Sequence, residues 1–134
     1  MDTLIVSFLA NAYLALGEID AGLAAADEGL SVAERNGEYF AAPELHRLRA
    51  ELLQIRETYG SAETEFLTAL DVARKHGSKA LELRAATSLA RLWQQQGKRR
   101  QARDLLSSVY DWFTEGFDTT DLKEAKALLE ELGA

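Results

Sequence analysis

The sequence predicts an all-α fold built as a stack of helical hairpins, and three observations carry this. Apolar residues recur at helical spacing along most of the 134 residues. Alternating β-branched runs, the mark of strands, are nearly absent. The pattern also repeats at a step of 40 residues, as arrayed helical units do. Ala10, Ala50 and Ala90 match at that step, as do Ala12, Leu52 and Leu92, then Tyr13, Leu53 and Trp93. In the second helix of each unit Ala26, Phe66 and Leu106 correspond, followed by Leu30, Leu70 and Tyr110.

Taken in order, the first helix spans about 2–16, with Leu9, Ala12, Tyr13 and Leu16 as one stripe. Between Leu4 and Leu16 it is apolar around most of its circumference, whereas the end helix of a stack needs one polar face. Leu4, Ile5 and Phe8 are therefore expected to be covered by an upstream repeat, another domain or a second copy of the chain, most simply as a symmetric dimer. A turn near Gly17 leads to the second helix, about 19–36, which turns Leu23, Ala26, Leu30 and Ala33 inward. Gly37 ends it, as glycine does where the backbone turns left-handed. The third helix, about 39–59, holds the single proline, Pro43, in its first turn or so, where a missing amide costs little.

After a turn near Gly60 the fourth helix runs over about 61–76 and buries Phe66, Ala69, Leu70 and Ala73. Glu63 and Glu65 fall in its first turn, where negative charge suits the dipole, and His76 closes it before Gly77. The fifth helix, about 79–96, carries Leu89, Leu92 and Trp93, and Gly97 turns the chain. The sixth covers about 99–115. Tyr110, Phe113 and Phe117 read as the core stripe of that helix and its exit, with Trp112 partly exposed. The seventh, about 121–132, opens at Thr120 or Asp121, with Glu124 three beyond Asp121. Its Leu122, Ala125, Leu128, Leu129 and Leu132 face one way, while Lys123, Glu124, Lys126, Glu130 and Glu131 face the other, as in a capping helix. The chain thus reads as one domain, 1–134, with units at about 2–37, 38–77 and 78–117.

Composition narrows the function classes. Lys and Arg number 15 against 22 Asp and Glu, a net charge of −7 that opposes a phosphate backbone. The absence of cysteine removes disulfides, thiolate zinc sites and thiol nucleophiles, and leaves the redox compartment open. The apolar run from Leu4 to Leu16 is too short to span a bilayer, and Asp2 stands where a leader would carry Lys or Arg. A cytoplasmic protein, without nucleic acid or membrane as partner, is the expectation.

Chemistry-bearing motifs are sparse. Gly97-Lys98 is followed by Arg99, and Leu92 stands where a phosphate loop needs its first glycine. The two histidines, His46 and His76, lie on different helices without metal-ligand spacing. His46 reads as a core or groove histidine, and His76 as a cap on a helix C-terminus. No carboxylate pair is marked out for acid–base work. Lys98, Arg99, Arg100 and Arg103 concentrate positive charge at a helix start and read as a solvated turn. Neither catalytic residues, metal nor cofactor are expected.

Ala10, Tyr13, Gly17, Gly22 and Gly29 resemble the tetratricopeptide pattern of small, large and glycine positions. Unit two answers with Ala50, Leu53, Ala62 and Ala69, and unit three with Ala90, Trp93, Gly97 and Ala102. Glu57 stands where that glycine is expected, Val109 closes the third unit, and the period exceeds the family's usual length of about 34 residues. The resemblance implies a right-handed α-α solenoid of three hairpins plus a capping helix, non-catalytic, whose first helices line a concave groove for a protein partner. The groove positions it implies are Ser7, Asn11 and Leu14, then Glu44, Arg47, Glu51 and Gln54, then Arg84, Thr87, Arg91, Gln94 and Gln95. Arg47, Arg84 and Arg91 could there receive a carboxylate, or serve as ion partners for Glu44 and Glu51. The carboxylate clamp of the chaperone-tail-binding members is not matched, since Ser7, Leu48 and Ser88 replace its lysine, asparagine and arginine.

The stretch from Leu81 to Leu132 also looks like the C-terminal end of large bacterial regulators that join an adenylate-cyclase-type or transcription-regulator domain to an AAA-like ATPase. That resemblance implies a signalling scaffold. A small-molecule sensor with a pocket between helices is the second expectation, and an enzyme a distant third.

Overall fold

Among the described residues seven helices follow one another: α1 (Thr3–Leu16), α2 (Ile19–Asn36), α3 (Ala42–Ile55), α4 (Tyr59–Lys75), α5 (Lys79–Gln95), α6 (Arg99–Tyr110) and α7 (Thr120–Gly133). The computed structural model describes residues 3–133, the Leu4 side chain excepted. Among these residues there is no strand, and no helix is long and apolar enough to cross a membrane.

The helices are cut by left-handed residues set at equal steps. Gly17, Gly37, Glu57, Gly77 and Gly97 have φ of 73°, 68°, 66°, 68° and 80°. After each, the next amide reaches back over the helix end. Glu18 donates to the Tyr13 carbonyl at 2.9 Å, Glu38 to Ala33 at 3.0 Å, Thr58 to Leu53 at 3.0 Å, Ser78 to Ala73 at 2.9 Å and Lys98 to Trp93 at 2.8 Å. This bond satisfies a carbonyl that the helix end leaves without a partner. The 40-residue period is thus two equal half-steps, disguised in the sequence because one of the five positions is Glu57.

Four helix ends depart from the sequence expectation. α3 begins at Ala42, not near residue 39, since Pro43 has no amide to donate to the Tyr39 carbonyl, as a helix starting there would need. The turn before α4 falls at Glu57, not near Gly60; Gly60 lies inside α4, so Glu63 and Glu65 sit beyond its first turn. α6 stops at Tyr110, five residues before the expected end, so Phe113 and Phe117 belong to the following loop. Phe113 packs on the core, Phe117 is 45% exposed, and Trp112 is exposed with Lys79 Nζ 5.3 Å from its ring centre. The α7 start is bonded by the Thr119 hydroxyl, which accepts from the Leu122 amide at 3.5 Å, one residue ahead of the expected cap.

Each helix packs on the next in the chain, and the odd-numbered helices also pack on one another, α1 on α3, α3 on α5 and α5 on α7. The even helices touch only odd ones. One apolar core joins α3 through α7 around Phe66, Leu83, Leu89, Leu92 and Leu106, and a smaller one joins α1, α2 and α3 around Val6, Ala10, Leu45 and Leu48. Small residues on α2 set the spacing there. A Cβ at Gly22 would stand 2.8 Å from Leu52 Cδ1, and one at Gly29 2.8 Å from Val6 Cγ1.

Candidate binding trough

The row of odd helices creates a hollow of about 520 Å³. α1 contributes Ser7, Phe8 and Asn11; Phe40 and Ala41 come from the segment before α3; α3 contributes Glu44, Arg47 and Leu48. α5 adds Leu81, Arg84, Thr87, Ser88 and Arg91, and α7 adds Asp121 and Glu124. A second hollow of about 320 Å³ adjoins it through Ser88 and Arg91, and is lined also by Leu14, Glu51, Gln54, Ile55, Tyr59 and Gln95.

The groove positions therefore come together from three helices. Asn11, Arg47, Arg84, Thr87 and Arg91 share the larger hollow, and Glu51 lines the smaller one. Gln94 lines neither; its amide donates to Glu131 on α7 at 3.2 Å. Phe40, Leu81, Asp121 and Glu124 were not among the groove positions of the sequence reading. For Glu124 a signal existed, because Glu44, Arg84 and Glu124 stand one period apart, as do Glu51, Arg91 and Glu131. The sign of the charge alternates from one odd helix to the next.

That alternation is used in bonding. Arg84 donates through Nη1 to Glu44 on α3 at 2.6 Å and through Nε to Asp121 on α7 at 2.8 Å. Burial acts to lower the Arg84 pKa, but the bonds to Asp121 and Glu44 outweigh it and raise the pKa, holding the guanidinium charged. Arg47 pairs with Glu44 and, at 3.2 Å, with Glu51. The Ser88 hydroxyl donates to Glu51 at 3.0 Å and lies 3.4 Å from Arg47 Nη1. Arg91 meets Glu124 at 3.5 Å, and Gln54 donates to Gln95 at 3.0 Å. Arg47, Arg84 and Arg91 thus face Glu44, Asp121 and Glu124 within one hollow, each cation already holding a carboxylate of the chain itself. An incoming anion would have to exchange with these partners.

A second polar cluster ties α2, α3 and α4. His46 Nδ1 lies 2.9 Å from Glu65 Oε2, and Arg49 bridges Glu65 and Asp27, at 2.9 Å to each. Burial acts to raise the Glu65 pKa, but the His46 bond and charge and the Arg49 contact prevail and hold it below the ordinary carboxylate range. His46 therefore lies in neither hollow, and His76 forms the C-terminal cap of α4 while stacking on Tyr39 at 5.4 Å. Glu63 accepts from Trp93 Nε1 at 2.5 Å, with Lys98 at 3.8 Å. Buried Glu82 is flanked by Arg74 at 2.9 Å and Lys79 at 3.2 Å. Arg99 donates to the Glu131 carbonyl at 2.6 Å, fastening the basic turn to α7. Among the described residues no group of three or more His, Asp or Glu side chains is placed to hold a metal ion.

No protein-family model matches the chain, and no curated protein matches it.

Proposed function

We propose that this chain is a non-catalytic interaction scaffold of the tetratricopeptide-like class, a right-handed α-α solenoid of three hairpins capped by α7, which holds a protein segment in the trough of the odd-numbered helices. The observation that carries the reading is the convergence of Asn11, Arg47, Arg84, Thr87 and Arg91, from three separate helices, on one hollow. The equal half-steps at Gly17, Gly37, Glu57, Gly77 and Gly97 support the solenoid, since equal hairpins stacked side by side leave an open trough.

The partner suited to it is a peptide or helix carrying both signs of charge. Its carboxylate would take Arg84 or Arg91 from the resident acids while its cation meets Glu44, Asp121 or Glu124, and its apolar side chains meet Phe8, Phe40 and Leu81. The resemblance of Leu81–Leu132 to the ends of bacterial multidomain regulators supports a signalling role in the cytoplasm, with the trough receiving another domain or a separate protein. A pull-down comparing the natural chain with the R84E/R91E double variant tests this. Loss of the partners retained by the natural chain is expected; an unchanged set of partners would sink the trough as the binding surface.

A second reading rests on the size of the hollow, which falls within the range of about 300–1,000 Å³ typical of small-molecule sites. A small ligand that raises the melting temperature of the natural chain but not of R84E/R91E would favour the sensor over the scaffold.

A further inference from the structure

We infer that the outer face of α1 is a homodimer interface, occupied by α1 of a second copy crossing it antiparallel about Ala12. Ile5, Phe8, Leu9, Ala12, Ala15 and Leu16 follow helical spacing and all are exposed, with Phe8 at 66% and Leu16 at 75%. Val6 and Ala10 fill the opposite face of the same helix and are buried. α1 thus has two apolar stripes, and no charged residue from Thr3 to Leu16.

One period on, the equivalents of Ile5, Phe8 and Ala12 are covered: Leu45, Leu48 and Leu52 on α3 are buried, as are Ala85, Ser88 and Leu92 on α5. The equivalents of Ala15 and Leu16 are exposed, Ile55 and Arg56 on α3 and Gln95 and Gln96 on α5. The Ile5, Phe8 and Ala12 part of the stripe is therefore the fold's stacking face, and Ala15 and Leu16 extend it with apolar surface that the inner helices lack. What covers it in α1 differs from what covers it in α3. Leu52 pushes its methyls into the gap that Gly22 leaves on the preceding helix. At the same position α1 has Ala12, too short to fill a gap like the one at Gly22.

Small residues at the centre and large ones at both ends suit a different neighbour, another α1. Antiparallel contact about Ala12 brings the two Ala12 residues together and sets Phe8 of one copy toward Leu16 of the other. The absence of charge matters in a chain of net charge −7, because two copies meet here without like-charge contacts. Growth beyond two is blocked, since α7 at the far end presents exposed Lys123, Glu124, Lys126, Glu130 and Glu131. The contact is isologous and closes on itself. Phe8 also lines the larger hollow, so dimerisation fixes one end of the trough.

The test is sedimentation equilibrium of the full chain from about 1 to 100 μM, a range that brackets micromolar dimers. A dimer is expected for the natural chain, and a monomer with unchanged helical circular dichroism for Ala12→Arg, whose charges meet on the two-fold. The dissociation constant should rise at least about 100-fold. Because the chain has no cysteine, Ala12→Cys should oxidise to a covalent dimer while Lys126→Cys should not. A natural chain that stays monomeric across the range, or a dimer that Ala12→Arg leaves intact and Ala12→Cys fails to lock, overturns the inference.

Discussion

Arg84 and Glu44 stand 40 residues apart in sequence, at equivalent places in successive units, and meet at 2.6 Å across the α3–α5 contact. The same guanidinium holds Asp121 on α7, so one side chain fastens three of the odd helices. Arg84→Gln should lower the unfolding free energy by about 1 kcal/mol, since the pairs are partly solvated. The difference from the natural chain should shrink in high salt. Thermal melts of both proteins at low and high ionic strength check this; a salt-independent difference would point to lost packing instead.

Glu57 holds the left-handed turn that glycine holds at the four equivalent positions. A side chain there costs about 1–2 kcal/mol, partly offset by the freedom glycine adds to the unfolded chain. Glu57→Gly should therefore raise stability by about 1 kcal/mol in urea unfolding. Destabilisation would mean that the turn does not carry the strain assigned to it.

Gly22 and Gly29 lie inside α2, where alanine would normally gain about 1 kcal/mol from helix propensity. Here an added Cβ meets Leu52 at 2.8 Å, or Val6 at 2.8 Å and Leu45 at 2.9 Å. Both alanine variants should lose about 1–3 kcal/mol, as overpacked cores do. Gly29→Ala should lose more, because β-branched Val6 has less freedom to turn aside than Leu52. Denaturant midpoints that rise in either variant would show that the α2 contacts are looser than described.

Glu65 has its folded pKa depressed by His46 and Arg49 despite the opposing effect of burial. A carboxylate of this kind contributes stability that is present above its unfolded pKa, about 4.3, and is lost as pH falls through the lower folded value. Glu65→Gln should cost about 1–2 kcal/mol near neutral pH. The cost should fade as both proteins are taken below that range, and a gap constant from pH 7 to pH 3 would contradict the assignment.

Much of the fold was legible because turn chemistry is local. Gly17, Gly37, Gly77 and Gly97 stand in the sequence where the left-handed residues stand in the fold. What was hidden depended on exceptions to local rules. Glu57 broke the glycine series and Gly60 drew the turn three residues late, while Pro43 shortened α3 from its start. In the trough, the position of Arg84 on its helix was legible from periodicity, but its partners were not. Arg47 does use neighbours on its own helix, Glu44 and Glu51, whereas Arg84 reaches across to Glu44 and Asp121. Which of these a cation takes depends on inter-helix distances that no single helix encodes. The alternating signs of Glu44, Arg84 and Glu124, and of Glu51, Arg91 and Glu131, were its trace in the sequence.

The trough's role is most directly tested by site-specific photo-cross-linking in cells. A photoreactive residue at Arg91, in the trough, is compared with one at Leu67, exposed on α4 and lining neither hollow. A defined adduct from position 91 that is absent from position 67, and is abolished by Arg84→Glu, is the predicted result. Equal capture from both positions, or capture from 67 alone, would contradict the account.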